Sequence, residues 1–234
     1  MQNKIRIGVI PAAGSGKRLG YLSSLLPKTL FPLYDRPIIH YVVDQMQSIG
    51  IEDIYIIVNI YKEKIIEYFK FVQMDLRANI YFIEQKTLNG NGEAILLAEQ
   101  YTKKEPFMVI YGDDCTVSES LDGMIQNFLK STAIVMEGVV KEEDLAILRQ
   151  TCSVKLAKNG RMIEIIEKPE NPPHMFRGCG VYLFRPEVFS HIRNTPIHPN
   201  GSNVNINDYD ELIKASQMLK DHKKASKKLV EVLF

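Results

Sequence analysis

A glycine loop carrying two adjacent cations follows the first apolar run of this chain. "IRIGVI" (5–10) leads into "PAAGSGKRLG" (11–20), and Lys28, fronted by Pro27, stands ten residues beyond Arg18. Glycines let backbone N–H groups approach a phosphate chain closely, and cations beside it neutralise a departing pyrophosphate. Two other phosphate loops fail on spacing. A dinucleotide fingerprint needs G-x-G-x-x-G, whereas Gly14, Gly16 and Gly20 carry one residue too many before the third glycine. Its acidic partner would be Asp35, in "PKTLFPLYDRP", where three prolines bar a central strand. A Walker A loop needs a glycine where Pro11 stands and a hydroxyl where Arg18 stands. A triphosphate grip remains, and a tight turn edged with surface cations is the other reading of the same residues.

A second constellation is "VIYGDDC" (109–115), an apolar run ending in Asp113 and Asp114. Ligands of open α/β sheets bind beyond the carboxyl ends of strands, and hard cations such as Mg²⁺ take carboxylate oxygens together with substrate phosphates. Helix capping is the alternative for this pair. The five histidines (His40, His174, His191, His198, His222) show no ligand spacing, and no Ser-His-Asp or Cys-His arrangement can be built. Cys115, Cys152 and Cys179 are odd in number without a C-x-x-C, which argues against a disulfide framework or zinc knuckle and for a reducing cytoplasm.

The elements that would position these residues alternate. Strands are predicted over 4–10, 53–60, 79–85, 107–112 and 132–140, and helices over 38–50, 62–72, 92–101 and 121–130. Such alternation implies βαβ crossovers and a mostly parallel sheet covered on both faces. The pattern changes at 153–169, two runs joined through Asn159-Gly160 as a hairpin, followed by a strand at 178–184. A polar-faced helix at 206–224 and a short strand at 228–234 complete the reading. The fold class expected is α/β, a Rossmann-like three-layer α/β/α arrangement in one domain over 1–234 with an antiparallel addition. The nucleotide part would span about 1–140 and the acceptor part about 141–234. With 234 residues, net charge +1 and 45% hydrophobic residues, nothing points to a polyanionic partner. "KDHKKASKK" reads as a solvated helix end rather than a nucleic-acid patch. No run is long and apolar enough for a membrane span or signal peptide, so the expected setting is cytoplasmic.

"IPAAGSGKRL…PKTLFPLYDRPIIHYVVDQM" resembles the G-x-G-x-R-L…P-K signature of the sugar-1-phosphate nucleotidyltransferases, most nearly those that transfer uridylyl or thymidylyl groups to glucose 1-phosphate. The likeness runs from residue 5 to about 215. It implies an Mg²⁺-dependent enzyme that joins a nucleoside triphosphate, UTP or dTTP, to a sugar 1-phosphate and releases pyrophosphate. By that resemblance Arg18, Lys28 and Lys168 are the catalytic cations. The nucleotide lies on Pro11, Ala12, Ala13, Gly14, Ser15, Gly16, Lys17, Gln85, Gly90, Asn91 and Gly112. In "EQKTLNGNGEA" the Gln85 amide would meet the pyrimidine edge, and donor plus acceptor in one group suits uracil or thymine. Asp113 and, in "NINDYDELI", Asp208 would hold the metal, with Asp210 as the fallback. Asp114, Ser153, Glu167, Lys168 and Gly178 would form the acceptor site.

The departures fall mostly in that acceptor site. Ser153 stands where the family usually has Gly, and "GCGVY" places Gly178 where "N-x-G-[IV]-Y" has a sugar-contacting Asn. Lys17 replaces a usual Thr, and no W-x-D-[IV]-G-T segment follows, which implies a minimal member or one lacking a C-terminal portion. Two rivals stay open: a cytidylyltransferase using a non-sugar phosphate such as phosphocholine, and a non-catalytic nucleotide-sugar-binding regulatory subunit. The expected partners are the two substrates, without nucleic acid or membrane, and homo-oligomerisation is open.

Overall fold

The computed structural model describes residues 4–14, 21, 25–87, 90–102, 104–114 and 121–194. Ser15, Gly16, Lys17, Arg18, Cys115 and Asp208, and the elements expected at 206–224 and 228–234, lie outside the described residues.

A six-stranded sheet organises the described chain. Strand β1 (Ile7–Pro11) is buried at all five positions and pairs in parallel with β4 (Asp53–Val58) on one edge and β6 (Phe107–Ile110) on the other. β5 (Asn79–Glu84) extends the parallel set beyond β4. On the far side the order is β6, β10 (Phe176–Phe184), β7 (Val135–Lys141), with β10 antiparallel to both neighbours. The antiparallel strand expected as an addition is therefore inserted within the sheet, and β7 never touches β6. The other antiparallel run is as the Asn-Gly signal predicts: β8 (Cys152–Leu156) and β9 (Met162–Glu167) form a separate hairpin. A two-residue ladder of β2 (Pro32–Leu33) and β3 (Arg36–Pro37) accounts for the proline-rich stretch without entering the main sheet.

Alternation along the strands assigns side chains to two cores. Ile10, Ile54, Ile56, Met108 and Ile110 face α1 (Ile38–Ser48), α2 (Lys62–Phe71) and α4 (Leu121–Lys130). Ile7, Val9, Ile57, Phe107 and Val109 face α3 (Asn91–Leu97) and α6 (Val188–Asn194). This is the three-layer α/β/α arrangement. Helix α3 is shorter than expected, giving way to turns after Leu97. Two short helices, α5 (Leu145–Gln150) and α6, went unread because each spans barely two turns. Among the described residues, no helix is long and apolar enough to cross a membrane.

The antiparallel insertion is locked by Arg185, just past β10. Its guanidinium donates to the carbonyls of Phe128 (3.2 Å), Ser131 (2.8 Å) and Ala133 (3.0 Å), closing the C-terminal end of α4. It also lies over the Phe128 ring. Arg185→Met is expected to lower stability by about 2 kcal/mol in urea unfolding, because three carbonyls lose a charged donor. A loss under about 0.5 kcal/mol, the range of ordinary surface changes, would refute this role.

Candidate functional site

The strand order reverses between β1 and β6: the chain leaves β1 toward β4 on one side and later returns to β6 on the other. At such a switch point the loops leaving adjacent strands splay apart and open a crevice beyond the carboxyl ends. The glycine loop leaves β1 here and the Asp113–Asp114 turn leaves β6. The two strand ends are drawn together by Gly112 N–H donating to the Pro11 carbonyl at 3.0 Å. A Cβ at Gly112 would lie 3.1–3.2 Å from Ile10, Ala12 and the Pro11 carbonyl, so the strand ends approach as closely as a glycine permits. Ala12 continues the parallel ladder by donating to Ile57 at 2.8 Å, while Ala13 and Gly14 come progressively into the open.

Lys28 begins a 3-10 turn (Lys28–Leu30) fixed by Leu30 N–H on the Pro27 carbonyl at 2.9 Å. That turn buries Lys28 to 8% exposure and carries its Nζ to 2.9 Å from Asp113 Oδ2. Residues 85 positions apart thus meet at the mouth of the crevice. Among the described residues no three His, Cys, Asp or Glu side chains converge as a metal cage. A carboxylate at a strand end, as Asp113 is, fits a hard cation held largely through substrate oxygens.

Gln85 sits just past β5, buried, its N–H on the Val58 carbonyl at 2.8 Å and its carbonyl accepting from the Asn59 amide. The Gln85 Nε2 donates to Glu93 Oε2 at 2.8 Å and reaches the Gly90 carbonyl at 3.4 Å. Gly90 has φ +95° and open space where a Cβ would be, so backbone is presented bare at the start of α3. Asn91 is the first residue of that helix.

A third group gathers at the β10 bulge. The register of β10 against β7 shifts between Gly178 and Tyr182. Within the bulge Gly180 (φ +68°) would place a Cβ 2.0 Å from Asp114 Oδ2, so the Asp114 carboxyl packs on bare backbone. Gly178 N–H points at Cys152 Sγ (3.3 Å), and Cys152 pairs with Glu167 across the hairpin. Lys168 follows with φ +46°, a left-handed conformation unusual outside glycine, pinned by its N–H on the Thr151 carbonyl at 2.7 Å. Ser153 belongs to the frame of this group. It is fully buried, and its hydroxyl donates to the His174 carbonyl (2.9 Å) and accepts from His174 N–H (3.0 Å). Its side chain thus holds the loop before β10 and has no surface to offer a ligand.

Pro11, Ala12, Gly112 and the Lys28–Asp113 pair thus meet where β1 and β6 end, and Asp114 packs on Gly180 of the β10 bulge. Gly178 of that bulge lies beside Cys152, the hairpin partner of Glu167, with Lys168 next in the chain. The nucleotidyl transferase family model matches residues 7–227. The chain belongs to the nucleotidyl transferase family. It is 31% identical over 211 residues to the bifunctional protein GlmU of Methanocaldococcus jannaschii, covering 90% of this chain and 47% of that one. The chain thus spans about half the length of that relative. It is 30% identical over 237 residues to a putative UTP–glucose-1-phosphate uridylyltransferase of Bacillus subtilis, covering 91% of this chain and 85% of the relative. The UTP-bound UGPase of Acinetobacter baumannii superposes with a TM-score of 0.79 over 98% of both chains at 22% identity, which speaks to the fold alone.

Three residues beside these groups escaped sequence reading. Glu93 orients Gln85 but looks like an ordinary first-turn acid of a helix. Gly180 was quoted only as part of "GCGVY". Glu137 is half-buried on β7, and its carboxyl accepts from the Tyr182 hydroxyl. Its signal was a lone acid in the run "TAIVMEGVV". Burial pushes the Glu137 carboxyl up to about 7, the Glu167 charge adds to the rise, and the Tyr182 hydroxyl opposes it.

Two outcomes follow from these geometries. Lys168→Gly is expected to be more stable than Lys168→Ala by about 1 kcal/mol in urea unfolding, since only glycine takes a left-handed φ without steric cost. Equal stabilities would show that the backbone there is unstrained. Glu137 has a native pKa above its unfolded value near 4.3, so its contribution is complete at low pH and is lost as pH rises through about 7. The stability of Glu137→Gln relative to the unaltered protein should therefore increase between about pH 4 and pH 7, by on the order of 1–3 kcal/mol. A pH-independent difference in unfolding free energy would contradict the raised pKa.

Proposed function

We propose that the chain transfers a nucleotidyl group from UTP or dTTP to a sugar 1-phosphate, yielding a nucleoside diphosphate sugar and pyrophosphate. The observation that carries this reading is the Lys28–Asp113 pair, 2.9 Å apart, at the β1/β6 switch point. It joins a phosphate-binding cation to a carboxylate able to hold a divalent metal, as expected where a nucleoside triphosphate reacts. Relatives named for glucose-1-phosphate uridylyl transfer support the acceptor class.

In this reaction a phosphate oxygen of the acceptor attacks the α-phosphorus in line, and pyrophosphate leaves from the opposite face. Lys28 lies against the triphosphate, Arg18 takes the charge of the departing pyrophosphate, and Lys168 holds the acceptor phosphate. Mg²⁺, on Asp113 and Asp208, would supply charge neutralisation across the phosphate oxygens. The protein does little covalent work, so alignment and charge placement supply most of the rate. Uracil or thymine is favoured by how Gln85 is held. The Glu93 carboxylate only accepts, so it fixes the amide nitrogen toward itself and leaves the amide oxygen as the opposite pole. An oxygen suits the ring N–H of uracil or thymine and not the lone pair at the same place in cytosine.

Pyrophosphate release from UTP, dTTP, CTP, ATP and GTP, each with glucose 1-phosphate and Mg²⁺, tests this reading. UTP or dTTP should turn over, and Lys28→Ala and Asp113→Ala should each lose roughly 10²- to 10³-fold in kcat/KM. Full activity in both variants, or CTP as the only productive nucleotide, would overturn it.

A further inference from the structure

Gln85 is 3% exposed, and the chain itself engages nearly all of its polar atoms. Its N–H donates to the Val58 carbonyl at 2.8 Å. Its own carbonyl accepts from the Asn59 side chain, whose Oδ1 takes the Ile60 N–H at 2.7 Å. These contacts fix the backbone where β5 ends. The side-chain amide meets Glu93 Oε2 at 2.8 Å and, more loosely, the Gly90 carbonyl at 3.4 Å. Both are acceptors, so an amide turned end over end would set its oxygen against two oxygens. The nitrogen therefore faces them with both of its hydrogens. Among the described residues no donor reaches Gln85 Oε1, which leaves that oxygen as the atom this side chain offers a ligand.

Glu93 is itself held in place. Its Oε1 accepts from the Thr87 hydroxyl at 2.7 Å, and its backbone belongs to the first turn of α3. One carboxylate thus ties together the end of β5, the turn after it and the helix that follows. A carboxylate only accepts, whereas an amide in its place would let Gln85 turn over.

We propose that Glu93 is the positioning residue that decides base choice: held by Thr87, it keeps the oxygen of the Gln85 amide, and never its nitrogen, presented to the nucleobase. The site then selects a base with a hydrogen on its ring nitrogen and rejects cytosine. This rests on Gln85 meeting the base, as read above. An amide free to turn suits either kind of base, because it carries a donor at one end and an acceptor at the other. Discrimination therefore comes from the residue that orients it. Rejection matters as much as attraction here, since cytosine would set the lone pair of its ring nitrogen against an oxygen that cannot rotate away.

Dissociation constants are measured by titration calorimetry with Mg²⁺ and no acceptor, for CTP and for the tighter binder of UTP and dTTP. The unaltered protein should bind the latter at least about tenfold more tightly than CTP. Glu93→Gln keeps the shape of the side chain and lets the Gln85 amide turn over. The preference over CTP should then fall about tenfold, with CTP itself binding more tightly. A gain for CTP is an effect that a merely loosened fold does not produce. In a Gln85→Ala background, Glu93→Gln should leave the preference within about twofold, because its effect passes through Gln85. An unchanged preference in Glu93→Gln, with the unaltered protein favouring UTP or dTTP, overturns this inference alone. So does a fall carried only by weaker UTP or dTTP binding, or one that recurs in the Gln85→Ala background. Equal or tighter binding of CTP by the unaltered protein, or binding of none of the three, overturns the reading of Gln85 against the base and this inference with it.

Discussion

Every feature of the site depends on β1 being hydrogen-bonded along both edges. Parallel ladders to β4 and β6 leave none of its five residues in contact with solvent, and Gly8 lets α1 close over it, with Met46 Sδ 2.5 Å from where a Cβ would be. A strand held that firmly delivers its C-terminal end to a fixed point. Because β4 and β6 lie on opposite sides of it, that point is also where the sheet opens. A ligand bound at such a point needs groups only at the rim of the sheet, because the core beneath is already fixed.

The rim is assembled from segments remote in the chain, and its charges are held in check by one another. Lys28 is buried because Asp113 accepts its charge, and Asp113 is held beside it by a turn that packs Asp114 on Gly180. Buried pairs of this kind are poor sources of stability, since desolvation offsets much of their attraction. What the pair fixes is position: an ammonium and a carboxylate are held side by side where β1 and β6 end.

The β10 side of the sheet is built on a different principle. The antiparallel insertion of β10 between β6 and β7 creates the bulge at 178–182, and the bulge brings Gly178, Gly180 and Asp114 within reach of the β8–β9 hairpin. Lys168 stays in a left-handed conformation where that hairpin returns. Strain of this order persists where the surroundings over-determine the backbone, which is common at sites that must hold a charge in one place. The β1–β6 side is thus fixed by parallel ladders, and the β10 side by a bulge, a hairpin and one strained lysine.

What was legible from the sequence is what depends on local pattern. Alternating β-branched runs and amphipathic helices marked the three layers, and Asn159-Gly160 marked the hairpin. The position of β10 was not legible, because an apolar strand carries no record of which edge it joins; pairing is decided by the competing surfaces of the whole fold. Glu137, Glu93 and Gly180 were hidden for the same reason. A lone acid in a strand, an acid in a first helical turn and a glycine in an apolar run are each ordinary in isolation. They acquire a role only when tertiary packing places a carboxyl beside a bare backbone or an amide beside a carboxylate. The sequence by itself determined the kinds of group present and the strands and helices that carry them. Only the tertiary structure decided which groups meet, because contacts between residues tens of positions apart depend on sheet order and register, and neither is written in local periodicity.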